Sequence, residues 1–297
     1  MKRNAIVRII LWSIVLLVLL ALFFALLYVP GGNFLKRENK PEATWIPVPI
    51  TEQHDDSQFH LNIVEADPSQ IREMEIEWVL GSVLIQPTDT DEISFREEDI
   101  DGCGKPMQWK IRDNKLIIQF AENIKNSLNL GLDWGDERKN LIIEVPKDWQ
   151  CDSLEVTAAA ASLEVKDLTI REMEFDGASG TCIFDNCTVE KLDLDTASGD
   201  VRFTGSLQQL DCDSASADIL LELINVPRSI ELDTASGDLE VTLPADAGFT
   251  VTLDALSSDF RSDFDTIRRN NSYVAGNGRC RIDVDAMSGD VTVRKAA

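Results

Sequence analysis

Between Met173 and Val293 a twelve-residue unit is written six times: MEFDGASGTCIF, LDLDTASGDVRF, LDCDSASADILL, IELDTASGDLEV, VTLDALSSDFRS and IDVDAMSGDVTV. Each copy is an alternating apolar–polar run, a turn built on Asp-x-x-Ser-Gly-Asp, and a second alternating run. A unit this short cannot bury its own apolar face, so it folds by stacking on copies of itself. The first aspartates of the copies (Asp176, Asp195, Asp213, Asp233, Asp254 and Asp285) are 19, 18, 20, 21 and 31 residues apart. Two degenerate copies precede them. LEVTAAAASLEV from Leu154 has Thr157 at the aspartate position. MEIEWVLGSVLI from Met74 has Glu77, Gly81 and Ser82 in place of Asp, Gly and the final Asp.

Period-2 alternation sends Leu192, Leu194, Val201 and Phe203 to one face of the chain, and Asp193, Asp195 and Arg202 to the other. The short period predicts an all-β body: a parallel, β-helix-like solenoid with coils of about 19 residues. A sandwich of hairpins would need two-residue Asn-Gly or Asp-Gly turns, which these are not. Gly180, Gly199, Gly237 and Gly289 are expected at positive φ. The turn Asp and Ser side chains are expected to bond backbone N–H groups two or three residues onward.

Composition narrows the function. With 28 basic and 52 acidic residues the net charge is −24, which disfavours nucleic acid as a partner. The only long apolar run is Ile9–Val29, 21 residues without a charge. At about 1.5 Å rise per residue it matches a hydrocarbon core of about 30 Å. Lys2, Arg3 and Arg8 precede it, which favours a cytoplasmic N-terminus and an extracytoplasmic body. The expected organisation is therefore a cytoplasmic stub (1–8), a single-pass membrane anchor (9–29), a proline-rich tether (30–60) and a solenoid domain (61–297). A cleaved signal peptide fits less well, because the apolar core is long and no Ala-x-Ala site follows.

Candidate chemistry is sparse. Both histidines, His54 and His60, fall in the tether, so Ser198, Ser236 and Ser288 have no histidine base and no hydrolytic triad is expected. The aspartates recur in every coil, which singles out no coil as an active centre. A polysaccharide-active β-helix enzyme and a Ca²⁺-stabilised rod remain the alternatives to a non-catalytic module. No catalytic, cofactor-binding or metal-binding residue is assigned. Of six cysteines, Cys182, Cys212 and Cys151 fall on inward columns, whereas Cys103, Cys187 and Cys280 are expected in turns or loops, free to pair. The one break in the period, between Asp254 and Asp285, carries Arg261, Arg268, Arg269, Tyr273 and Arg279 on an otherwise acidic body. It is read either as a cap over the last coil or as an interaction loop.

The WVLGSVLIQP strand pair, the LIIEVP strand, the TASGD turns and the closing GNG…IDVDAMSGDVTV segment together resemble the DUF4097 family of putative adhesins, LiaG-like envelope proteins among them. The resemblance spans Ile71 to Lys295. It implies a solenoid-like fold outside the membrane, no catalytic residues, and a role in adhesion or envelope stress. The expected partners are the membrane and an envelope protein or cell-surface polymer. The Ala-rich TAAAAS copy, Ala217 and Ser258 in place of Gly, and the cysteines depart from its pattern.

Overall fold

The computed structural model describes residues 64–66, 71–100, 106–121 and 138–296. The expected stub, anchor and tether lie outside them. Among the described residues no helix is long and apolar enough to cross a membrane.

The repeat units stack into a flattened parallel solenoid with two faces. Face 1 runs β5 (Lys115–Gln119), β2 (Glu73–Thr88), β7 (Gln150–Lys166), β8 (Thr169–Ser179), β9 (Cys182–Ser198), β10 (Val201–Ser216), β12 (Ser229–Ser236), β18 (Cys280–Ser288) and β14 (Phe249–Ser257), all parallel. Face 2 runs β6 (Lys139–Pro146), then β2, β7, β9 and β10 again, then β11 (Ile219–Leu223), β13 (Leu239–Leu243), β19 (Val291–Lys295) and β15 (Phe260–Ser262). The long strands β2, β7, β9 and β10 turn the corner and serve both faces. The degenerate copies fall in register with the others: Glu77 lies beside Thr157, and Thr157 beside Asp176.

Alternation does what the pattern dictates. Leu192, Leu194, Val201 and Phe203 are buried between the faces, and the equivalent columns of every coil form one continuous core. The glycines behave as expected. At Gly199 φ is 133°, and a Cβ there would sit 2.0 Å from the Gly180 carbonyl oxygen of the coil below. The turn therefore needs glycine both for its dihedral and for the closeness of the coils.

Turn capping differs from the expected local pattern. In three turns the final Asp reaches across to the next coil: Asp218 Oδ1 accepts the Asp238 N–H at 2.9 Å, Asp238 Oδ1 accepts that of Asp290 at 2.7 Å, and Asp290 Oδ1 that of Asp259 at 3.0 Å. The first Asp is not in the turn at all. Asp195 and Asp213 are strand residues pointing outward, because β9 and β10 run on to Ser198 and Ser216. The expectation for Cys187 and Cys280 is corrected too, while Cys103 lies outside the described residues. Cys187 and Cys280 lie in β9 and β18, buried and unpaired, as are Cys151, Cys182 and Cys212. Burial pushes the Cys151, Cys182, Cys212 and Cys280 thiols up to about 12 and Cys187 to about 11. Such groups stay protonated and are poor nucleophiles.

At both ends, coils stack out of chain order. The first coil in the chain, β2, lies second in space, because the β5–β6 coil is laid outside it. The last coil, β18–β19, is likewise second from its end, inserted between β12–β13 and β14–β15. Antiparallel strands close the ends: β4 (Gln108–Arg112) on β5, β3 (Ile93–Asp99) on β6 with β1 (Val64–Ala66) beyond, and the hairpin β17 (Ser272–Ala275) and β16 (Thr266–Arg269) on β14.

Candidate functional site

On face 1 the outward positions form two parallel ladders of carboxylates. One contains Asp176, Asp195, Asp213, Asp233, Asp285 and Asp254 in consecutive register. Two residues earlier on the same strands, Glu75, Glu155, Glu174, Asp193, Asp211, Glu231 and Asp283 form the other. Strand spacing sets neighbours about 4.8 Å apart. Local cations relieve the crowding in places: Lys191 pairs with Asp193 at 2.7 Å, and Lys115 with Glu155 at 3.0 Å.

The electrostatic consequence is visible in proton affinity. Desolvation, together with the charges of Asp285, Asp213, Asp211 and Glu231, lifts the Asp233 carboxyl to about 6. Desolvation and like-charged neighbours also raise Asp195, Asp213 and Glu174. Among the described residues no group of three or more His, Cys, Asp or Glu side chains converges as a metal site would require; the carboxylates keep the spacing of the ladder.

Face 2 presents mixed charges: Glu164 with Lys166 at 2.9 Å, Arg96 with Glu144 at 3.2 Å, and Arg294 with Glu240 at 2.5 Å.

The five residues singled out in the period break are not brought together at one place. Arg268 and Tyr273 come together on the β16–β17 hairpin. The Arg268 guanidinium stands 5.4 Å from the Tyr273 ring centre, and Tyr273 stacks on Phe260 at 4.1 Å. Arg261 lies on face 2, bonded to Asp290 at 3.0 Å. Arg269 ends β16, exposed, and Arg279 follows in the turn, where its N–H donates to Asn277 Oδ1 at 3.1 Å.

One buried polar cluster was not anticipated. Lys139 and Glu97 are 0% and 3% exposed and pair at 2.7 Å. Lys139 Nζ also donates to the Phe120 carbonyl and lies 4.2 Å from the Phe120 ring centre and 5.3 Å from that of Trp78. Glu97 accepts the Met107 N–H at 3.0 Å. Every polar group in this cluster answers another, so it is a structural closure of the end of the core. A signal for it exists: in KNLIIEVP and ISFREED, alternation puts Lys139 with Leu141 and Ile143, and Glu97 with Ile93 and Phe95, on the inward face.

The architecture defines a class: an all-β, mainly parallel solenoid with capped ends. Residues 47–294 match the family described as Toastrack DUF4097, and the chain belongs to that family. No curated protein matches it. Solved structures similar to it include "a putative adhesin" from Bacteroides fragilis (13% identity, 80% of this chain and 97% of that one, TM-score 0.43). Another is "a putative cell adhesion protein" from Clostridium sporogenes (12% identity, 79% and 98%, TM-score 0.35). A third is a "putative lipid binding protein" from Parabacteroides distasonis (11% identity, 80% and 96%, TM-score 0.34). Likeness at this level transfers no function.

Proposed function

We propose that this chain is a non-catalytic binding or scaffolding module of the cell envelope, held at the membrane by Ile9–Val29 with its solenoid outside, acting in adhesion or in an envelope-stress assembly. One observation supports the reading above others: face 1 carries two unbroken ladders of seven and six carboxylates. A surface that repeats the same charged groups coil after coil suits an extended, positively charged partner, protein or polymer, better than a small substrate needing one unique pocket. The closing hairpin with Arg268 and Tyr273 fits the cap reading of the period break. Its alternative, an interaction loop with Arg261, Arg268, Arg269, Tyr273 and Arg279, stands as a subsidiary proposal.

The test uses the full chain in intact cells, with photo-crosslinking residues at Asp211 on face 1 and at Glu240 on face 2. A discrete adduct from position 211, lost when Asp193 and Glu231 on either side are neutralised together, supports the reading. A body shielded from externally added protease until the membrane is broken, or turnover of a polyuronate by the purified chain, overturns it.

A further inference from the structure

The outward column through the middle of face 2 has a pattern unlike anything on face 1. In five consecutive coils it reads Leu84, Glu164, Ile183, Arg202, Leu220. Taken in reverse with its charges inverted, the series is itself: apolar, acidic, apolar, basic, apolar becomes apolar, acidic, apolar, basic, apolar once more. The leucines and Ile183 point away from the core yet are half-buried. A shallow depression of about 240 Å³ lies among Leu84, Ile142, Glu164 and Ile183.

We propose that face 2 is the contact surface for a second copy of this chain, packed face to face about a two-fold axis running along β9 at Ile183. Such an axis keeps strand direction and reverses the order of the coils. Glu164 then meets Arg202 of the second copy, and Arg202 meets its Glu164. Leu220 of one copy enters the depression beside Leu84 of the other, and Ile183 packs on its own equivalent. This is the reciprocity an isologous interface demands, and a partner of unrelated sequence would not need it.

Charge selects the face. Face 1 meeting itself sets carboxylate ladders against carboxylate ladders, whereas face 2 is balanced by Lys166, Arg202 and Arg294. The existing pairs, Glu164 with Lys166 at 2.9 Å and Arg202 with Glu222 at 3.8 Å, are exposed and extend into a cross-interface network without being broken. Asp185 also lies near the axis. It accepts the Thr204 hydroxyl at 3.0 Å, and Lys166 close by offsets its charge against its own equivalent. Nine strands at about 4.8 Å, each offering about five residues at about 3.3 Å, give roughly 700 Å² per copy. That approaches the ~800 Å² per partner of a stable interface. The inference stands on the solenoid body alone and does not depend on the envelope role.

The test measures the mass of the full chain in detergent by sedimentation, with melting curves as the folding control. The expected result is a two-chain particle for the natural sequence, a single chain for Glu164→Arg, and restored pairing for Glu164→Arg combined with Arg202→Glu. On oxidation Ile183→Cys links two chains rapidly. Thr292→Cys, four coils from the axis and about 19 Å away, does not. A single chain throughout the concentration range overturns the proposal. So does pairing that survives Glu164→Arg, which would place the contact elsewhere, or equal linking at positions 183 and 292.

Discussion

Asp233 is where the repeat turns against itself. Its carboxyl, lifted to about 6 by desolvation and the neighbouring ladder, binds a proton more tightly folded than unfolded. The stability this contributes is complete below the ordinary value of 3.8 and is lost as the pH rises through about 6. Asp195, Asp213 and Glu174 act in the same direction. Asp152 opposes them: its exposed carboxyl is held low by Arg72, a contribution present at neutral pH and lost on acidification. Asp233→Asn should therefore raise the melting temperature at pH 7 by a few degrees at most and leave it unchanged at pH 4. Equal shifts at both pH values would show that crowding of charge is not the cause. The buried cluster gives the converse case. Lys139→Met strands Glu97 without its cation, and removing one partner of a buried pair typically costs about 3–5 kcal/mol. Lys139→Met with Glu97→Gln, which keeps an acceptor for the Met107 N–H, should recover much of that loss in urea unfolding. If the double variant is no more stable than the single one, the cost lies in packing against Trp78 and Phe120, not in the stranded charge.

Strands and turns show which parts of the chain were legible and why. Coils whose turns are tight and repeat at 18 to 21 residues declared themselves in the sequence, down to the positive φ of Gly199 and Gly289. Gly199→Ala meets both a φ of 133° and the Gly180 carbonyl oxygen at 2.0 Å. It should cost more than the ~1 kcal/mol of an ordinary strained Gly→Ala change, read as a lower midpoint in denaturant. A cost below that would mean the corner relaxes easily. The β5–β6 coil stayed hidden because nineteen residues part Gln119 from Lys139 and no Ser-Gly-Asp marks its corner. Capping is not legible in the sequence, because hydrogen-bond reach within a turn shows there, whereas reach to the neighbouring coil depends on stacking. The carboxylate ladders of face 1 were half legible. The aspartates were evident as repeats, but their extension onto strands, and their joining with the Glu75–Asp283 column, needed the register.

For the whole molecule, chain order and spatial order disagree at both ends. A solenoid stacked in sequence exposes its last coil to fraying, since terminal elements open first. Here β18 is bonded on both sides, to β12 and β14, and β19 to β13 and β15. Amide exchange should therefore find β18 among the slowest strands although it ends nine residues from the C-terminus, and β16, paired among the described residues only to β17, among the fastest. Fast exchange in β18 would contradict the stacking order.

The same threading bears on how the molecule answers force. A tug on the C-terminus does not reach a free edge that can be unzipped one hydrogen bond at a time. It loads a strand gripped by neighbours on either flank, and beyond the three-residue β1 the N-terminal side is gripped in the same way at β2. Tension along the chain must shear two ladders at once or first lever the outer coil aside. A domain threaded like this resists extension as a clasp rather than a zip.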